Sequence, residues 1–166
     1  MPRIIAATSA LVLALSIAGC SSAPAPGSDG YVSAGTLTIA TSPSTKAPWF
    51  IDNDPASGKG FEAGVAYAVA EDLGFSKDHV VWVRVSRADA LAPGHKTFDL
   101  YLGQVPISST LEKSVDLSSG YYIDPATGEE FGLVFAKNSP LTLRLTMAVD
   151  EVRAQGTFTQ LAQEWL

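Results

Sequence analysis

Few side chains in this sequence have the spacing that catalysis or metal binding requires. His79 and His95 stand alone in polar segments, without a Gly-x-Ser-x-Gly elbow, a His-Glu-x-x-His pair or a glycine-rich phosphate loop. Residues 52–54 (Asp-Asn-Asp) begin like a calcium loop, but Ala56 and Ala63 stand where that loop needs oxygen ligands. We interpret the run as a turn, and we predict no catalytic residue, metal site or cofactor.

The only cysteine, Cys20, ends an apolar stretch over residues 4–18 that follows a single cation, Arg3. The stretch is short for a membrane span and has the shape of a secretory signal. Its final Ile-Ala-Gly-Cys resembles a bacterial lipobox, in which small residues expose the bond before a cysteine that receives diacylglycerol. We expect residues 1–19 to be removed and Cys20 to hold the protein on the outer face of the bacterial cytoplasmic membrane.

Composition limits the domain organisation and the classes of partner that remain possible. The run after Cys20 is small and proline-rich, which predicts a flexible tether over residues 20–35 and a single folded domain over residues 36–166. The chain has 17 acids and 11 bases, a net charge of −6. Such a charge argues against nucleic acid as a partner and against electrostatic docking on anionic lipid.

Hydrophobic periodicity alternates between strand and helix patterns. Strands are predicted at residues 36–40, 80–85, 98–102 and 131–135, and helices at 61–73, 141–152 and from 157 onward. Residues 86–97 are predicted to be a loop, and two Ser/Thr-x-x-Glu/Gln spacings, starting at Ser109 and Thr157, match capping boxes. The alternation predicts an α/β domain whose mostly parallel sheet is covered by helices on both faces.

Four segments, taken in order, resemble the first lobe of family 3 extracytoplasmic solute-binding proteins. They are GTLTIATSPSTKAPWFIDNDPASGKGFEAGVAYAVAEDLGF, DALAPGHKTFDLYLGQVPISS, SVDLSSGYY, and FGLVFAKNSPLT with AVDEVRAQGTFTQLAQEWL. The family comprises two-lobed receptors that deliver amino acids to ABC importers. The resemblance implies one lobe of a type II periplasmic-binding-protein fold, with a sheet of about five strands.

The second lobe of that family has no counterpart here. In the family the chain crosses a hinge after the position of Gly120, builds a second lobe and returns just before the position of Phe131. Here only residues 123–130 join these points, and Asp124, Pro125 and Gly128 are turn formers. We expect a short hairpin-like connection in place of the second lobe.

Ligands of open α/β sheets lie beyond the carboxyl ends of the strands. That rule places residues 42–49, 86–88 and 103–108 around the candidate site. The candidate ligand-binding side chains in these segments are Ser42, Ser44, Lys46, Trp49, Arg87, Gln104 and Ser108. Trp49 could stack on a ligand, with a loop anchor packed on the core as the equally weighted alternative.

The resemblance also implies a test of ligand class. The family holds the ligand carboxylate with a fork-shaped arginine, and this chain has Leu111 at that position. Lys46 or Arg87 could replace it, although each is also explained as a solvated surface charge. Recognition of a free α-amino acid is therefore in question.

Three hypotheses follow from the sequence. The first is a solute-binding lipoprotein for a small polar solute, with an ABC permease or a full-length receptor as partner. The second is an interaction module without transport, which an exposed apolar patch near the missing lobe would favour. The third, a dehydratase-like enzyme, would need two perturbed acid or base groups facing one another in a cleft.

Overall fold

The computed structural model describes residues 30–166. Five strands form one sheet: β1 (Leu37–Thr41), β2 (Val80–Arg84), β3 (Leu100–Pro106), β4 (Val115–Ile123) and β5 (Glu130–Ala136). The α-helices are α1 (Phe61–Asp72), α2 (Arg87–Leu91), α3 (Thr142–Ala154) and α4 (Thr157–Trp165). Four 3-10 turns lie at Ile51–Asn53, Pro55–Ser57, Lys77–His79 and Leu111–Lys113.

The strand order in the sheet is β2-β1-β3-β5-β4. β1 pairs in parallel with β2 and β3, whereas β5 runs antiparallel to both of its neighbours. Four strands therefore point the same way and β5 is reversed, which confirms a mostly parallel sheet. We call the end at which those four strands finish the carboxyl edge, and the opposite end the amino edge.

Side chains alternate between two cores because successive strand residues point to opposite faces. Leu37 and Ile39 of β1 face the larger core, with α1, α3 and α4, and Ala40 faces the smaller one. The smaller core is covered by α2 and by the segment around Leu111. Helices on both faces are confirmed, although one cover is much thinner.

Local differences from the predicted elements have simple causes. Residues 86–97 are not all loop, because Ser86 caps α2 by accepting a hydrogen bond from the Asp89 amide at 3.1 Å. That Ser-x-x-Asp spacing signals a helix start. The capping boxes predicted at Ser109 and Thr157 are wrong, because neither helix start has a side-chain cap. The Leu111 amide donates to the Ser108 hydroxyl instead.

β4 had no strand prediction of its own, and its link to β5 is short. The two strands are paired up to Ile123 and Glu130. The Asp124 amide then donates to the Glu129 carbonyl at 2.8 Å, and the Gly128 amide to the Asp124 carbonyl at 2.7 Å. Residues 124–129 thus close a tight hairpin turn at the carboxyl edge.

The described chain enters at the amino edge. Asp99, which is 3% exposed, accepts hydrogen bonds from the amides of Val32 and Thr38, both at 2.7 Å. These bonds tie the segment before β1 to the start of β3. Within residues 30–166, none of the helices has the length and apolar character needed to cross a bilayer.

Candidate functional site

Two loops form the candidate site at the carboxyl edge. The first, residues 42–60, leads from β1 into α1, and the second, residues 107–114, follows β3. Because β1 and β3 are adjacent and parallel, their carboxyl ends bring these two loops side by side.

Ser42, the first candidate residue, holds its loop against the sheet. Its hydroxyl lies 2.7 Å from the hydroxyl of buried Tyr101, whose pKa burial raises. The Arg84 guanidinium donates to the Ser42 carbonyl at 2.8 Å and to the Asn53 carbonyl at 2.5 Å. Arg84 therefore fastens both ends of the turn from Ser42 to Asn53.

The loop backbone also occupies the start of α1. The amides of Phe61 and Glu62 donate to the carbonyls of Pro48 at 2.9 Å and Trp49 at 3.0 Å. Helix N-termini normally need a capping side chain or a ligand for such amides. Here the loop satisfies them, so these amides are not available to a ligand.

Trp49 is half-buried in an aromatic cluster. Its ring lies edge-on to Phe61, Tyr122 and Phe131, with centroid distances of 5.7, 5.6 and 6.0 Å. This packing matches the loop-anchor interpretation. A ligand-stacking role for the exposed part of the ring stays a prediction.

Gln104 points inward rather than towards a ligand. It lies in the left-handed region, with φ 49°, at an irregular step in the pairing of β3 with β5. Its amide donates to Glu62 Oε1 at 2.7 Å, and its side-chain nitrogen donates to Glu62 Oε2 at 3.2 Å. The Gln104 side chain is therefore held by the protein itself.

Glu62 is fully buried on the first turn of α1. Besides Gln104, its partner is Tyr121, whose hydroxyl donates to Oε1 at 2.5 Å. Burial raises the pKa of Glu62, although these hydrogen bonds oppose the change, and burial also raises the pKa of Tyr121. This carboxyl links α1, the end of β3 and β4 at one point.

Arg87 clamps the end of β3. Its guanidinium donates to the Gly103 carbonyl at 2.5 Å and to the Gln104 carbonyl at 3.2 Å. A cation that serves two backbone carbonyls is less available for a ligand carboxylate, although the side chain remains exposed.

The other candidate residues divide between structural and exposed positions. Ser108 accepts a hydrogen bond from the Leu111 amide at 3.3 Å. Ser44 and Lys46 are exposed, and within residues 30–166 their side chains have no hydrogen-bond partner. The structure therefore places these two side chains and part of Trp49 at the solvent side of the first loop. Cys20 lies outside the described residues.

The residues weighed for metal binding form turns. Asn53 accepts from the amide and hydroxyl of Thr45, and Asp54 accepts from the Ala56 amide. In the described part of the chain, no group of three or more His, Cys, Asp or Glu side chains is arranged to hold a metal ion.

Sequence reasoning missed the residues that shape this edge: Glu62, Arg84, Tyr101 and Tyr121. One signal was available for Glu62, since it is a charge on the first turn of a helix that is otherwise apolar and alanine-rich there. An acid at such a position requires internal partners. Its partners are distant in sequence, so they could not be identified.

The comparisons with known proteins agree with this architecture. The model of the bacterial extracellular solute-binding proteins, family 3, matches residues 37–166. A search of curated proteins found no match.

Several solved structures share the fold. The arginine-bound form of domain 1 from TmArgBP is 21% identical, with 70% of this chain and 93% of that chain covered and a TM-score of 0.55. An ancestral arginine-binding protein bound to arginine is 17% identical, with coverages of 80% and 98% and a TM-score of 0.63. A periplasmic binding protein of Salmonella typhimurium with high arginine specificity is 16% identical, with coverages of 78% and 98% and a TM-score of 0.61.

Proposed function

The chain belongs to family 3 of the bacterial extracellular solute-binding proteins, and from that membership we propose that it is a lipid-anchored, single-lobe receptor for a small polar solute. Its ligand surface is the carboxyl edge, and its place is outside the cytoplasm. Its partners are an ABC permease or a full-length receptor of the same family.

The observation that supports this proposal most is the fixed geometry of the carboxyl edge. Arg84 and Arg87 bind four backbone carbonyls of the turn after β1 and the end of β3. A surface held in this way loses little conformational entropy when a ligand binds. Ser44, Lys46 and Trp49 then present a hydroxyl, a cation and an aromatic edge to a solute.

The ligand class we propose is an amino acid or a related small polar molecule. One similar structure is an isolated first domain with arginine bound, which supports binding by a single lobe. A single lobe covers only one side of a ligand, so we expect weak affinity. Leu111, in place of the family's arginine, further weakens binding of a free α-carboxylate.

A non-enzymatic role fits the acid and base groups best. One similar structure is an ancestral amino-acid-binding protein that preceded a cyclohexadienyl dehydratase. In the present chain the two perturbed groups that meet, Glu62 and Tyr121, are both buried and bonded to each other. Catalytic groups must reach a substrate, and these two side chains are only 0% and 4% exposed.

Ligand binding should appear as a rise in the unfolding temperature. Residues 21–166, which include the whole described core, are heated with amino acids, small organic acids and sugars. A ligand at about 100 times its dissociation constant adds about 2.7 kcal/mol of stability. Lys46→Met should reduce the rise for an anionic solute, and Lys137→Met, which removes an exposed lysine at the amino edge, should not. A melt that no solute moves would contradict the receptor proposal.

Anchoring through Cys20 makes a separate prediction. In a bacterial host, we expect Cys20→Ser to move the protein from the membrane fraction to a soluble extracytoplasmic fraction, because no lipid can be attached. Fractionation followed by immunoblotting measures the change, and Ser21→Ala is the matched control that keeps the thiol. A variant that stays in the membrane fraction would refute the lipid anchor.

A further inference from the structure

Two of the three most exposed large apolar side chains in residues 30–166 lie on one side of α3. Leu143 is 72% exposed and Met147 is 61% exposed. They are four residues apart, so they lie on the same side of the helix. With Leu73, Pro140 and Ala148 they line a shallow groove of about 500 Å³ between the end of α1 and the start of α3. We call this the α3 groove.

The α3 groove lies beside the point where the described chain begins. Gly30 is in close contact with Pro140, since a Cβ placed on it would lie 2.7 Å from the Pro140 Cγ. The Tyr31 ring packs edge-on against Phe75, with centroids 5.1 Å apart, and lies 5.5 Å from the Arg144 guanidinium carbon. Pro140 and Arg144 also line the groove.

This position restricts what the α3 groove can meet. Gly30 is ten residues after Cys20 in the sequence, a span of at most about 36 Å even when fully extended. A lipid on Cys20 would therefore keep the amino edge near the bilayer, at a high effective concentration relative to the membrane surface. The carboxyl edge, at the opposite end of the sheet, lies farther from the attachment point.

We propose that the α3 groove docks on the lipid bilayer surface, with Leu143 and Met147 entering the headgroup region. The proposal rests on the lipid anchor proposed above. Apolar side chains at this depth give weak, reversible binding, which a tether makes persistent. The groove is lined by two acids, Asp72 and Glu151, and one base, Arg144, a balance that disfavours anionic lipid, so we expect docking on zwitterionic surfaces.

Site-specific fluorescence on tethered protein tests this orientation. Residues 21–166 contain no cysteine, so a single introduced cysteine can be labelled with an environment-sensitive dye. Met147→Cys places the dye in the groove, and Ile123→Cys is a matched control, because both native side chains are 61% exposed. Ile123 ends β4 at the carboxyl edge. An N-terminal polyhistidine segment binds the protein to phosphatidylcholine vesicles that contain nickel-chelating lipid.

We expect the emission of the dye at position 147 to shift to the blue on tethering. Its quenching by aqueous iodide should fall about twofold. The dye at position 123 should change little. Adding Leu143→Glu to the Met147→Cys variant should abolish the shift, with no loss of fold because the side chain is exposed. The proposal would be overturned by no change at position 147 or by equal changes at both positions. A shift that depends on protein concentration without vesicles would also overturn it, because it would indicate that a second copy covers the groove.

The vesicles supply the anchor artificially, and the melting assay supplies the ligand test. Failure of docking would therefore leave the receptor proposal standing. Failure of ligand binding or of Cys20 lipidation would be seen in their own experiments.

Discussion

Glu62→Ala is expected to lower the free energy of unfolding by about 3 kcal/mol. The substitution removes the acceptor that binds the Gln104 amide and the Tyr121 hydroxyl, and it leaves a cavity beside the first turn of α1. The side chain is fully buried, so water does not replace the lost bonds. Urea unfolding followed by circular dichroism measures the change.

Two milder variants separate the hydrogen bonds from the charge. Glu62→Gln keeps the volume and one acceptor oxygen, so it should cost about 1 kcal/mol, and Tyr121→Phe, which removes one donor, about 1–2 kcal/mol. If Glu62→Ala were no more destabilising than Glu62→Gln, the buried cluster would not be a major source of stability.

The same residue predicts a pH dependence of known sign. Burial raises the pKa of Glu62 above its ordinary 4.5, so above that pH the unfolded chain loses its proton first and stability falls as pH rises. The Gln side chain of Glu62→Gln cannot ionise. The stability of this variant relative to the wild type should therefore rise from pH 4.5 upwards, until the pH passes the pKa of Glu62 in the folded wild type.

Asp116 gives a control of opposite sign. Burial alone would raise the pKa of Asp116, but bonds from Lys137, Thr142 and the Asn138 amide outweigh it and lower the pKa below 3.8. The stability that the Asp116 carboxylate contributes is present above pH 3.8 and is lost as the pH falls through its pKa in the folded protein. The deficit of Asp116→Asn should therefore shrink in acid. A stability difference between Glu62→Gln and wild type that does not vary with pH would contradict the Glu62 assignment.

Gly60→Ala is expected to cost about 3–4 kcal/mol, because strain and overlap add. Gly60 precedes α1 with φ 105°, and a Cβ there would lie 2.6 Å from the Trp49 carbonyl oxygen and 2.8 Å from the Phe50 Cα. The Trp49 carbonyl also caps the helix, so the loop cannot withdraw without exposing the Glu62 amide. Thermal unfolding measures the loss.

Gly74→Ala separates the two causes. Gly74 also has a positive φ, 87°, but a Cβ there would meet nothing within 4 Å. We expect a loss of about 1 kcal/mol from backbone strain alone. Equal losses at Gly60 and Gly74 would show that the loop moves away from the new methyl group at little cost.

The layered fold was predictable from sequence because its elements are built from local patterns. In α1, Phe61, Val65 and Val69 recur every four residues and are buried. In α4, one face packs against the larger core through Phe158, Leu161, Ala162 and Trp165. β4 had no clean alternation, since Ser118, Ser119 and Gly120 interrupt it. Its identity as a strand depends on pairing with β5, and sequence patterns alone do not contain that information.

The candidate site was predictable in position but not in detail. The carboxyl-edge rule located the loops, and Trp49 lies within the predicted segment. What each polar side chain binds was not predictable, because the partners of Arg84, Arg87 and Glu62 are backbone groups or residues far along the chain. Residue type alone suggested solute contacts where the fold uses Arg87 and Gln104 internally.

The hairpin between β4 and β5 has a consequence for how proteins of this fold gain or lose domains. Both sides of the turn are fixed by paired strands, and the Asp124 amide lies 2.8 Å from the Glu129 carbonyl. An insertion whose ends lie close together can therefore enter here without disturbing the sheet. A single in-frame insertion or deletion at residues 124–129 would then convert a one-lobed protein into a two-lobed one, or the reverse, and an engineered reporter domain could use the same position.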